Sequence, residues 1–175
     1  MRKIILGIFL TFLSMLTVNL PANPAPCNDS MQTRDLAHEL KIGILYHDIA
    51  QVWGNTKIEK GVDLNGELII GTGLARASVG ASYNLFGHTS RVTTCLVISH
   101  GVDNLSFNLF VGGAVAVNPV RKLGSPILFR VAGETGYRFG PHSISIILDH
   151  ISNANLAEHN AGLDLFGVRY GYKWD

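Results

Sequence analysis

From about residue 40 onwards, hydrophobic and polar positions alternate with a period of two. Val62, Leu64, Leu68 and Ile70 share one face, and Asp63, Asn65 and Glu67 the other. Leu105, Phe107, Leu109, Val111, Val115 and Val117 oppose Ser106, Asn108, Gly112, Ala114 and Ala116. Phe129, Val131, Tyr137 and Phe139 likewise oppose Arg130, Glu134 and Arg138. Successive side chains of a strand point to opposite faces, so this pattern predicts β-structure. Helical periodicity is confined to a turn around Asp35 to Glu39. Eight strands are predicted, at about 40–48, 61–72, 76–84, 91–99, 105–117, 127–139, 142–151 and 163–174.

Alternation alone also suits a soluble sandwich with its apolar faces turned inward. The connections separate the two readings. Those after strands 2, 4 and 6 are short: Gly73-Leu74-Ala75, the residues near Gly101 to Asn104, and Gly140-Pro141. Those after strands 1, 3, 5 and 7 are mostly longer. An even number of strands of about ten residues, joined alternately by short turns and long loops, predicts an all-β fold: an eight-stranded antiparallel transmembrane β-barrel. Apolar rows then face lipid, while Asp63, Glu67, Arg130, Glu134 and Arg138 fill the lumen as a structural charge network. Both termini fall on the periplasmic side and the long loops outside.

The N-terminal stretch has a different character. Met1-Arg2-Lys3 is a short basic segment, Ile4 to Leu20 is almost unbroken apolar sequence, and three prolines follow at positions 21, 24 and 26. Residues 1–22 read as a secretory signal peptide, 23–38 as a periplasmic leader and 39–175 as the barrel. The alternatives are an uncleaved anchor, or a lipoprotein through Cys27, which Pro26 directly before it does not suit. Export places the chemistry outside the cytoplasm and opens a disulfide between Cys27 and Cys95. Whole-chain composition agrees: 47% of the 175 residues are hydrophobic and only 15% charged. That is too apolar for disorder. The net charge of +1 leaves no basic excess for nucleic acid. The seven His and two Cys show no metal-ligand spacing, so neither metal nor cofactor is expected.

Candidate chemistry lies near the C-terminus. On an extended chain, residues i and i+2 share a face with Cα atoms ~6.5–7 Å apart. His150 and Ser152 therefore form a base–hydroxyl pair. Their face carries Leu148, Ile146 and Ile144, while Ser143, Ser145 and Asp149 point the other way. In strand 8, Asp164 is in phase with Phe166, Val168, Tyr170, Tyr172 and Trp174, opposite Gly167, Arg169, Gly171 and Lys173. All three polar groups thus stand at the outer ends of lipid-facing rows, where polar side chains are costly and usually functional. The hairpin lets Asp164 approach His150, which suggests Ser152 as nucleophile, His150 as base and Asp164 as orienter. Ordinary rim residues would show the same spacing, and Glu158 is a second candidate acid.

The run from His150 to Leu156, with Asn160 to Asp164 and Gly167 to Tyr172, resembles the outer-membrane lipid A 3-O-deacylases of the PagL type. Gly61 to Glu67 and Leu123 to Phe139 extend the resemblance over most of the chain beyond the leader. It implies a barrel with its site on the outer wall, His150 as base, Ser152 as nucleophile and an acid at Asp164, where some members carry Glu. It also implies Asn153 as an oxyanion ligand. The implied partners are lipid A (lipopolysaccharide) as substrate and outer-membrane lipids, with a homodimer left open.

Other residues have simpler readings. Tyr170, Tyr172 and Trp174 read as interfacial anchors. His47 and Asp48 sit beside strand 8 once the barrel closes, and a supporting role there competes with loop structure. Lys57, Lys60, Arg121 and Lys122 fall in external loops, as phosphate contacts or as solvated charge. The rival functions are a non-catalytic outer-membrane barrel with a structural or adhesive role, and a soluble lipocalin-like carrier. Charges facing the would-be cavity disfavour the carrier.

Overall fold

The structure, a computed structural model, describes residues 38–47, 59–119 and 121–174. Eight strands run β1 (His38–His47), β2 (Val62–Ile70), β3 (Ala75–Asn84), β4 (Ser90–Val102), β5 (Leu105–Val117), β6 (Ile127–Phe139), β7 (His142–Ser152) and β8 (Leu163–Trp174). Each pairs antiparallel with the next, and β1 closes the barrel on β8 from His38↔Trp174 to His47↔Leu165. Closure removes the free edges that an open sheet of this size would leave to aggregate. The signal peptide, the leader to residue 37, Cys27, Asp48 and Lys57 lie outside the described residues.

Strand ends differ from the sequence reading where polar residues continue a ladder. His100 and Gly101 resemble turn residues, yet β4 pairs with β5 as far as Val102↔Leu105, leaving only Asp103 and Asn104 in the turn. Asp103 takes the left-handed conformation there, at φ 53°. The turn before β3 is longer than expected from its short spacing, because β2 stops at Ile70. All the short turns share one end with the start of β1 and the end of β8, which is the periplasmic end.

The faces are inverted relative to a soluble protein. Ile42 is 53% and Ile144 54% exposed, while Arg169 is 1% exposed. Four cations and four carboxylates interlock in the lumen. Arg130 donates to Asp149 (3.1 Å) and Glu67 (2.6 Å), and Arg169 to Glu67 (2.5 Å) and Glu134. Lys41 holds Glu134, and Arg91 bridges Asp63 (3.0 Å) and Asp149 (3.2 Å). Phe110 lies between the Arg130 and Arg169 guanidiniums, each 5.1 Å from its ring centre. An eight-stranded barrel is just narrow enough for side chains to fill it.

Removing one member of such a network strands its partners, which costs more than the intact pair contributes. Arg169→Met leaves Glu67 and Glu134 each short of a cation, and a loss of about 3–5 kcal/mol is expected. The urea midpoint of the detergent-folded barrel measures it; an unchanged midpoint would contradict this account of the lumen.

His47 belongs to this interior, not to the wall. It is buried, with Nε2 2.7 Å from Asp63 and Nδ1 2.8 Å from Glu59. Its neighbour across the β1–β8 seam is Leu165, one residue out of phase with Asp164, so it does not support the outer-wall site. Glu59, in the segment before β2, also accepts the Thr89 backbone N–H (3.1 Å) and hydroxyl (2.9 Å). Burial pushes its carboxyl pKa up, but the bonds from His47 and Thr89 outweigh this and hold it below the usual value.

Candidate active site

The site forms where β7 and β8 leave the barrel at the end opposite the short turns. Outward residues of β7 pass from exposed (Ile144, Ile146) to half-buried (Leu148, His150, Ser152) towards that end, where the 153–162 loop lies. His150 and Asp164 face each other in register, and Ser152 stands opposite Phe129 of β6. The His150 Nδ1–H donates to Asp164 Oδ1 at 2.6 Å. A carboxylate only accepts, so Nδ1 carries the proton in this pair and Nε2 is the basic nitrogen. Asp164 is 5% and His150 20% exposed at the side chain, so the pair is shielded from solvent while the ring keeps an open edge. Exposed Glu158, in contrast, sits in the loop.

Directly after Ser152 the chain makes a tight turn. Ala154 and Asn155 both take positive φ (53° and 64°), and the Leu156 N–H donates to the Asn153 carbonyl at 3.0 Å. Two consecutive left-handed residues define a type I′ turn. Alanine pays about 1–2 kcal/mol to adopt that conformation. Such strain persists only where surrounding contacts impose it.

Asn153 supplies those contacts. It is buried, and its Nδ2 donates to the carbonyls of Leu123 (2.8 Å) and His159 (2.6 Å). Its backbone N–H donates to Asn160 Oδ1 (3.0 Å), and Asn160 Nδ2 to Asn155 Oδ1 (3.0 Å). In this resting geometry Asn153 is an anchor with its donors engaged. Binding an oxyanion through its amide requires one of the two carbonyl bonds to open.

A second loop completes the site, and sequence reasoning missed it. Arg121–Leu123 form one 3₁₀ turn whose Lys122 carbonyl accepts the Ala161 N–H at 3.1 Å, beside the Asn153–Leu123 bond. The segment before β6 is thus clamped to the segment after β7. Arg121 and Lys122 are exposed on this clamp, and Lys60 is exposed before β2. The recurrence of Asn at 153, 155 and 160 was the available signal for the clamp.

Gly162 gives the imidazole its room. A Cβ there would lie 2.8 Å from His150 Cε1, and its φ of +66° suits glycine. Gly162→Ala is therefore expected to cost about 1–2 kcal/mol in backbone strain. By displacing the ring it should also lower turnover about 100-fold. Parallel activity and unfolding assays separate the two effects, and full activity in the variant would refute the placement of His150.

Residues 62–173 match the family model described as Lipid A 3-O-deacylase (PagL), and the chain belongs to that family. Among solved structures, it is similar to one described as the crystal structure of the outer membrane enzyme PagL. That likeness has a TM-score of 0.58 and 14% sequence identity, and covers 77% of this chain and 98% of that one. No curated protein matches by sequence.

Proposed function

We propose that the chain removes the 3-O-linked acyl chain of lipid A through a Ser152–His150–Asp164 triad at the outer rim of β7 and β8. The observation that carries this reading is the 2.6 Å His150–Asp164 hydrogen bond, set two residues from Ser152 on the outer wall. Ser152 Oγ attacks the ester carbonyl while His150 Nε2 takes its proton. The tetrahedral intermediate collapses, and His150 returns the proton to the departing sugar oxygen. Water, deprotonated by the same imidazole, then attacks the acyl-enzyme and frees the fatty acid and Ser152. Asp164 keeps the ring in the correct tautomer throughout and stabilises the transient imidazolium.

The substrate explains the placement. An ester near the outer-leaflet interface reaches a site on the wall without entering the barrel, and its acyl chains lie along the exposed rows of Ile144, Ile146, Phe166 and Val168. Arg121 and Lys122 suit phosphate groups on such a substrate. Asn153 shapes the turn after the nucleophile, and its amide joins the oxyanion site if a carbonyl bond opens. The test is mass analysis of lipid A from cells producing the wild type or Ser152→Ala. The acyl chain should be lost only with the wild type; loss with both removes Ser152 as the nucleophile, and loss with neither favours the non-catalytic barrel.

A further inference from the structure

A cavity of about 370 Å³ lies in the barrel at the end away from the His150 site, among the short turns. In the middle of the lumen, Lys41, Arg91, Arg130 and Arg169 are matched by Asp63, Glu67, Glu134 and Asp149. Among the described residues the balance fails around this cavity: Arg76, Arg138 and Lys173 line it with Glu39 as the one carboxylate.

Glu39 is already oversubscribed. It lies 3.2 Å from Lys41, 3.3 Å from Arg76 and 3.8 Å from Lys173. Arg76 is further held in the wall by Ser99 (2.7 Å) and Asn108 (3.3 Å). Lys173 therefore shares Glu39 with two other cations, and Arg76, Arg138 and Lys41 act on it as like charges. The Arg138 guanidinium makes no hydrogen bond or ion pair among the described residues. It lies across Gly101, where a Cβ would overlap it, so the glycine lets the guanidinium occupy the cavity mouth.

Like charges gathered in a half-enclosed recess repel one another, and a bound anion relieves that cost. A guanidinium fork matches the paired oxygens of a phosphate or carboxylate. At ~30 Å³ per water molecule, the cavity holds such an ion with its inner hydration shell.

We propose that the periplasmic mouth of the barrel is an anion-binding vestibule that takes a small oxyanion of the phosphate or carboxylate class, with Arg138 and Lys173 as its principal donors. This does not rest on the deacylase reading, since the vestibule and the His150 site are at opposite ends. The same oxygens are carried by free phosphate and by the headgroup of an anionic phospholipid. The position inside the wall favours the free ion.

The experiment titrates the full chain, folded in uncharged detergent, with inorganic phosphate at constant ionic strength set by sodium chloride. Calorimetry or ³¹P line width follows binding. Wild type should bind saturably, with about one phosphate per barrel. Arg138→Gln should weaken affinity at least tenfold, and Gly101→Ala should weaken it while keeping every charge. Both variants should keep the heat-modifiable gel migration of the wild-type barrel, which shows that they fold. Non-saturable binding, or equal affinity in wild type and Arg138→Gln, overturns the vestibule. A short-chain phosphatidylglycerol doped into the micelles forms the second arm. Arg138-dependent binding of that lipid, with none of inorganic phosphate, overturns the free-ion assignment.

Discussion

Ser152→Ala should eliminate deacylation while leaving the barrel intact. The hydroxyl is the only group the substitution removes, and among the described residues the Ser152 side chain makes no hydrogen bond on which the fold depends. Loss of a nucleophile from a triad that works as a unit lowers turnover by on the order of 10⁴-fold or more. The residual rate reflects binding and whatever donors face the oxyanion. Purified enzyme acting on lipid A in mixed micelles gives the rate, and heat-modifiable migration on gels reports folding. A folded Ser152→Ala protein with more than a few per cent of wild-type turnover would falsify the nucleophile assignment.

Substitution at Asp164 should split by chemistry rather than by size. Asp164→Asn keeps the shape but replaces an obligate acceptor with an amide that can donate. The imidazole can then hold its proton on Nε2, the nitrogen needed as base, and turnover should fall about 10⁴-fold. Asp164→Glu keeps the charge and adds one methylene. Since the present contact is short, at 2.6 Å, small shifts of the half-buried ring can accommodate the longer acid. Activity within about tenfold of wild type is expected for Asp164→Glu, in keeping with preserved tautomer control. Measuring kcat and KM separately tests the role: an orienting acid lowers kcat, whereas a substrate-binding carboxylate raises KM. Equal activity in Asp164→Asn and wild type would remove Asp164 from the mechanism, and Glu158→Gln would then be the variant to measure.

Much of the fold was legible because a barrel wall has one rule. Each strand lies between lipid and a filled lumen, so the period-two pattern of β2, β5 and β6 maps directly onto their two faces. The same rule put His150 and Ser152 on one face and Asp149 on the other. It failed where a polar stretch remained paired, as at His100 and Gly101, because backbone hydrogen bonds do not depend on side-chain polarity. It also gave no phase for His47 relative to the site; that depended on closure of β1 against β8.

The site was only half legible. Ser152 and His150 are two residues apart, so strand geometry alone relates them. Asp164 required the hairpin register. The engaged donors of Asn153, the clamp from Leu123 and the space left by Gly162 came from contacts between separate loops. Residue types in those loops permit many pairings.

Alternation, strand count and turn lengths were therefore sufficient for the class of fold and for the face on which His150 and Ser152 stand, because both follow from the local geometry of an extended chain. Register closed the His150–Asp164 contact, and loop docking turned Asn153 into an anchor. The lumen's uneven charge among the described residues, balanced in the middle and cationic at the mouth lined by Arg76, Arg138 and Lys173, arose only when distant segments came together. Such contacts join residues up to about a hundred positions apart, and no local pattern encodes which of several carboxylates a buried guanidinium will meet.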